Sequence, residues 1–180
     1  MVVEAAAKLS FLYFYENSLE VQLPFIKYLS KMLKKECSIV PLVVNQQDVQ
    51  TSVHIAKQIS KIIDKEEKKM VIIASTDFSH EGYSYGRFPP AGLTSDAFAR
   101  QQDKMAIQKI LIKDPTGLYQ IIQRNNISMC GYGGVMALLT VAQSVQGSSV
   151  ELLKYGTSYD TCSDSNSCVG YGAFAVKKMK

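Results

Sequence analysis

Residues 70–80, Met-Val-Ile-Ile-Ala-Ser-Thr-Asp-Phe-Ser-His, set the strongest condition on how this chain folds. Residues 70–74 are a short apolar run with β-branched residues at its centre. The charged stretch 64–69 precedes it and a dense polar cluster follows at once. A run bounded by charge on one side and turn formers on the other predicts a fully buried strand. Open α/β sheets bind ligands in the crevice outside the carboxyl ends of their strands. Ser75, Thr76, Asp77, Ser79 and His80 stand where that crevice needs hydroxyls, a carboxylate and an imidazole. They form the leading candidate site.

Around this stretch, helical and extended patterns alternate. Residues 10–15 form a candidate strand. Asn17 with Glu20 three residues on makes a capping-box-like pair. Leu19, Leu23, Ile26, Leu29 and Leu33 follow at helical spacing, and Pro24 forces a kink or a restart among them. Residues 38–44 are the next predicted strand. Asp48 caps a helix with Val49, Val53, Ala56, Ile59 and Ile63 as its apolar face. The loop 81–93 is rich in Gly, Tyr and Pro, a composition suited to a lid or pocket wall. Thr94 or Ser95 starts a helix that runs to about Lys113. Asp114-Pro115 restarts it with a cap and a proline at the first helical position. After Asn125-Asn126, a turn with Gly131, Gly133 and Gly134 leads into residues 135–145, apolar almost all round and therefore a buried helix. Residues 150–155 and 168–176 are predicted strands joined by a polar loop. The pattern predicts one α/β domain over residues 1–180, with antiparallel pairing near its C-terminus.

Composition excludes several classes. With 47% apolar and 20% charged residues the chain is an ordinary globular protein, and 180 residues bury roughly 70% of the unfolded surface. Its net charge of +4 comes from lysines at predicted helix ends and the C-terminus, with no basic stripe interleaved with aromatics, so no nucleic-acid partner is expected. Cys37, Cys130, Cys162 and Cys168 form no CxxC pair and no disulfide framework. Residues 1–15 carry an early acid and no cleavage pattern, and no apolar run reaches the ~20 residues of a membrane span. A reduced, cytoplasmic protein without membrane insertion is the expectation.

Each candidate residue has two readings. His80 after Asp77 serves as a general base with its tautomer fixed by Asp77 or a hydroxyl, or Asp77 caps the loop and His80 merely packs. Cys130, ahead of a glycine-rich turn into a helix, is a nucleophile or soft metal ligand, or a buried small hydrophobe. His54 falls mid-helix and reads as structural. The glycines around Tyr132 match neither a phosphate loop nor a dinucleotide fingerprint, and no GxSxG elbow supplies a hydrolase nucleophile.

Four stretches together resemble the Memo family, named for a mediator of receptor-driven cell motility and found also in archaea and bacteria. They are the run from Glu16 and Asn17 to Phe25 (Glu-Asn-Ser-Leu-Glu-Val-Gln-Leu-Pro-Phe), Ser-Thr-Asp-Phe-Ser-His at 75–80 with Gly82 nearby, Met129 to Tyr132, and Tyr155-Gly156-Thr157-Ser158 followed by Val169-Gly170-Tyr171. Their order fits the C-terminal two-thirds of the family pattern and covers essentially the whole chain. The resemblance implies a fold like that of class III extradiol dioxygenases, a single-domain α/β sandwich with a mixed central sheet and a metal site at one edge. It matches Cys130 to the family's metal-ligating cysteine and His80 to the pocket histidine that follows the Ser-Asp pair. It puts Glu16, Asn17, Ser75, Ser79 and Tyr132 in the pocket. Asn17 replaces a histidine of the usual Glu-His-Ser. The family's N-terminal block, with its Pro-His-Ala-Gly-Tyr motif and a second histidine, supplies the other two metal ligands. Neither is found in these residues, so the sheet is expected to lack N-terminal strands and to expose an edge that pairs with another chain.

Two functions follow from the resemblance. In one, the pocket is degenerate, catalytically weak or inactive, and binds a peptide or protein in signalling, with a phosphopeptide as one such partner. In the other, the chain is a metal-dependent oxidoreductase in which Cys130 helps hold iron or copper, His80 moves protons and Asp77 assists.

Overall fold

Capping chemistry decides where the helices begin. The computed structural model describes residues 17–67 and 69–178, and the chain divides into two units, Met1–Asn45 and Gln46–Lys180. In the first, a 3-10 turn (Glu20–Gln22) runs into α1 (Leu23–Leu33). Pro24 lies in its first turn, where a missing N–H costs nothing, so the restart expected there is what forms. Asn17 contributes its carbonyl, which accepts the Val21 N–H at 3.1 Å, in place of the expected capping box. The candidate strand at residues 10–15 lies outside the described residues. Residues 38–44, expected as a strand, form no ladder among the described residues.

In the second unit, Asp48 caps α2 (Val49–Lys65), accepting the Thr51 N–H at 2.7 Å. Thr94 caps α3 (Ser95–Leu111) through the Ala97 N–H at 3.2 Å. Asp114 caps α4 (Pro115–Asn125) through the Gly117 N–H at 2.7 Å, with Pro115 at the first position. Asn126, with φ of 48°, ends α4 in the left-handed region that an Asn tolerates. The apolar helix is α5 (Tyr132–Ser144), buried at Val135, Met136, Ala137, Leu139, Val141 and Ala142. Among the described residues no helix is long and apolar enough to cross a membrane.

Three strands form the described sheet: β1 (His80–Gly82), β2 (Ser148–Thr157) and β3 (Ser167–Lys178), in the order β1-β3-β2. The α/β class holds. Both pairings are antiparallel, His80 opposite Val169 and Val150 opposite Val176, so the parallel component of a mixed sheet is not among the described ladders. The polar connection between β2 and β3 carries one short helix, α6 (Tyr159–Cys162). A bulge interrupts β2 between Leu152 and Lys154.

The strand expected at residues 70–74 also belongs to no ladder among the described residues. Val71 is 87% exposed and Ile73 54%, and the run lies along an apolar cavity of about 630 Å³ that α5 and β3 also line. Apolar, β-branched composition marks a segment suited to a sheet, but a ladder also needs a neighbour, and β preference is mostly a property of that neighbour. The strand begins instead at His80, where β3 supplies the partner.

The core sits where α3, α4 and α5 meet the segment leading into β1. Phe78, Ile110, Leu118, Ile122, Met136 and Leu139 are its centre. Phe78 packs edge-on against Tyr155 of β2, ring centroids 6.3 Å apart, and at 6.0 Å from Phe174 of β3. Leu118 is fully buried. Leu118→Ala should therefore cost about 2–5 kcal/mol, read as a lower urea midpoint at unchanged m-value. A loss of only a few tenths would show that this layer is not the core.

Candidate functional site

Two irregular segments face each other beside the sheet, one entering β1 and one entering α5. The first is pinned to β3, since the Phe78 N–H donates to Gly170 O and the Gly170 N–H to Ser79 O, both at 2.9 Å. The second is held by side chains. Thr76 Oγ1 accepts the Gly131 N–H at 2.7 Å and lies 3.5 Å from Cys130 Sγ. Gln47 clamps the turn from the other side, its Oε1 accepting the Gly133 N–H at 2.9 Å and its Nε2 donating to Cys130 O. A Cβ at position 131 would come within 2.5 Å of Thr76 Oγ1, so only glycine lets the two segments approach this closely. Cys130 is left exposed, which rules out the buried-hydrophobe reading of its thiol.

His80 is held on three sides. Its Nε2 lies 3.5 Å from Asp77 Oδ2, its Nδ1 3.2 Å from Ser128 O, and the Tyr85 ring packs edge-on at 5.1 Å between centroids. Ser128 also bridges the backbone, accepting the His80 N–H at 2.7 Å and donating to His80 O at 2.9 Å. A carbonyl and a carboxylate only accept, so both ring nitrogens face acceptors, an arrangement that favours the imidazolium. The Asp77 hydrogen bond accordingly raises His80 above the ordinary 6.5, against partial burial and with help from Ser128. Burial raises the Tyr85 and Tyr171 phenols, and the Asp77 charge adds to both.

Behind this surface lies a polar group that the sequence did not reveal. Asp103 of α3 is fully buried, its Oδ1 accepting the Ser79 N–H at 2.9 Å and its Oδ2 the Tyr155 hydroxyl at 2.7 Å. Burial pushes the Asp103 carboxyl up while the Ser79 and Tyr155 hydrogen bonds pull it back. Glu81 is also buried, paired with Arg87 at 3.2 Å and lying 3.1 Å from Ser128 Oγ, whose one proton it shares with His80 O. Asp103 sits in a polar stretch (Arg100 to Lys104) with no motif to single it out. The available signal was Gly170 within a strand pattern, since a strand glycine marks a close approach. A methyl at Gly170 would overlap Asp103 Oδ2.

Of the residues singled out in the sequence, Asp77 and His80 are in contact and Cys130 lies across from them against Thr76. Ser75 is half-buried and Ser79 fully buried. Tyr132 turns toward α4, its ring 6.3 Å from that of Tyr119 and its hydroxyl accepting from Gln123 Nε2 at 3.3 Å. Asn17 belongs to the first unit, and Glu16 lies outside the described residues. His54 is exposed on α2. Among the described residues no three His, Cys, Asp or Glu side chains converge to hold a metal ion. Both nitrogens of His80 are also engaged, so the donors described do not make a set that fits iron or copper.

The model of Memo-like proteins matches residues 7–175. The chain belongs to the Memo-like family. It is 36% identical over 163 residues to a MEMO1 family protein of Methanosarcina barkeri, covering 91% of this chain and 56% of the relative. A MEMO1 family protein of Pyrococcus furiosus is 34% identical over 166 residues, with 91% and 57% covered. One from Methanococcus maripaludis is 35% identical over 162 residues, with 90% and 53% covered. The chain thus spans little more than half the length of these Memo-like relatives.

The raised His80 has a measurable consequence. Its NMR titration midpoint should lie above 6.5, and Asp77→Asn should lower it. Because the folded value exceeds the unfolded one, the stabilisation is complete below the unfolded pKa and is lost as pH rises through the folded value. The difference in urea midpoint between wild type and Asp77→Asn should therefore shrink between about pH 5.5 and about pH 8.5. An equal difference at both would remove Asp77 as the partner of His80.

Proposed function

We propose that this Memo-like chain is a binding module in cytoplasmic signalling, catalytically weak or inactive, whose His80 pocket engages a peptide or protein partner. The observation that carries the reading is the state of His80: its ring stands between Ser128 O at 3.2 Å and Asp77 at 3.5 Å. A metal ligand must offer a free nitrogen lone pair, and its proton has to leave first. An imidazolium instead offers N–H groups. The Nε2 contact to Asp77 is long, so an anionic oxygen of a ligand can compete for the same proton. A phosphate on a tyrosine supplies such oxygens. The exposed rings of Tyr85 and Tyr171 offer rigid aromatic contact area beside them, the kind that concentrates binding energy.

A second reading, the iron- or copper-dependent oxidoreductase, draws on the exposed thiol of Cys130 beside Thr76. Thiolate ligands suit both metals. Metal analysis of anaerobically purified protein separates the two. The binding-module reading expects iron and copper well below one per chain, and stoichiometric metal lost on Cys130→Ala would replace it with the enzyme.

For the partner, an array of tyrosine-phosphorylated peptides and their unphosphorylated counterparts, followed by fluorescence anisotropy on the hits, is the direct test. Losing one charge-assisted hydrogen bond is worth about 1.5–3 kcal/mol. His80→Ala should accordingly weaken binding roughly ten- to hundredfold, with circular dichroism unchanged. Equal affinity for wild type and His80→Ala would sink the pocket as the docking site.

A further inference from the structure

We infer that Asp103 is the positioning residue of the His80 pocket, fixing from the interior of α3 where the imidazole is presented. The inference rests on the reading of that pocket as the binding site, but its geometry stands independently. Three consecutive backbone N–H groups aim His80, and each is held by a different element. Phe78 donates to β3 at Gly170 O, Ser79 to α3 at Asp103 Oδ1, and His80 to the loop at Ser128 Oγ. The Ser79 contact is the only one of the three made to a carboxylate, and both partners are fully buried. Without Asp103 the Ser79 N–H would be left without an acceptor in a site closed to water, so the backbone would have to turn to find one.

The site is built around this carboxylate. Gly170 leaves no Cβ where Oδ2 sits, so β3 can lie against it, and the Tyr155 hydroxyl of β2 saturates the same oxygen at 2.7 Å. Asp103 therefore joins α3, β2, β3 and the entry to β1 at one point, one residue before His80. It does not itself reach the pocket surface, where Asp77, Tyr85 and Ser128 surround the ring.

Comparison of Asp103→Ala, Asp103→Asn and Tyr155→Phe tests the inference. The readouts are the ¹H–¹³C signal and titration midpoint of His80, the exchange protection of the Ser79 amide, and affinity for the peptide selected from the array. Asp103→Ala should shift the His80 signal, move its midpoint toward that of an ordinary imidazole, expose the Ser79 amide and weaken peptide binding about tenfold. Asp103→Asn keeps an oxygen for the Ser79 N–H and should restore most of the affinity; Asp103→Leu, which has no acceptor, stands in if Asp103→Ala fails to fold. Tyr155→Phe disturbs the same buried carboxylate from the side away from Ser79, and should lower Tm while leaving the His80 signal in place. If a folded Asp103→Ala or Asp103→Leu leaves His80 and Ser79 as in wild type, the inference is overturned. It is overturned equally if Tyr155→Phe moves His80 as far as the Asp103 variants do. Failure of wild type to bind any peptide would overturn the binding-module reading instead, leaving the NMR result to decide the role of Asp103.

Discussion

The arrangement depends on one antiparallel contact, where the backbone from Phe78 to Gly82 runs along β3 from Ser167 to Gly170. It does three things at once. It drives Phe78 into the core between Tyr155 and Phe174. It places Ser79 over Asp103, and it turns His80 out toward Asp77 and Ser128. One short segment thus serves the interior and the pocket together. The glycine on β3 that permits the contact is as much part of the site as the histidine.

Electrostatics in the site is layered. At the surface, acceptors on both sides of His80 favour its charged form. Beneath it, Asp103 and Glu81 are buried carboxylates whose hydrogen bonds come from Ser79, Tyr155, Ser128 and Arg87. Buried charge is tolerated only when it is paired or well hydrogen-bonded. Asp103 meets that condition at both oxygens, whereas Glu81 meets it at Oε1 and leaves Oε2 without a partner among the described residues. The same contacts tie loop, helix and sheet together, which keeps an otherwise irregular segment in place.

Sequence reasoning located the helices well because helix starts are local events. Asp48, Thr94 and Asp114 each cap through a side chain that reaches three residues along, and Pro115 and Asn126 mark the ends of α4 by backbone geometry alone. Strands depend on partners that sequence order does not name. The two C-terminal strands were legible because each pairs with the other. Residues 38–44 and 70–74 had the right composition but join no ladder among the described residues. For the site, Thr76, Asp77, His80 and Cys130 stood out because their side chains carry chemistry at turns. Ser128 and Asp103 did not, since their importance lies in which distant backbone atoms they meet. Tyr132 stands at the first position of α5, and its ring follows the helix face toward α4.

The close fit of Gly170 to Asp103 also limits how this chain can change over time. Enlarging residue 170 first creates a steric overlap with the carboxylate, and shortening residue 103 first leaves a buried amide without an acceptor. Each single step leads through a poorer intermediate, although a double change could satisfy both. Two positions far apart in sequence thus behave as one unit under mutation, and drift at either is held back by the other.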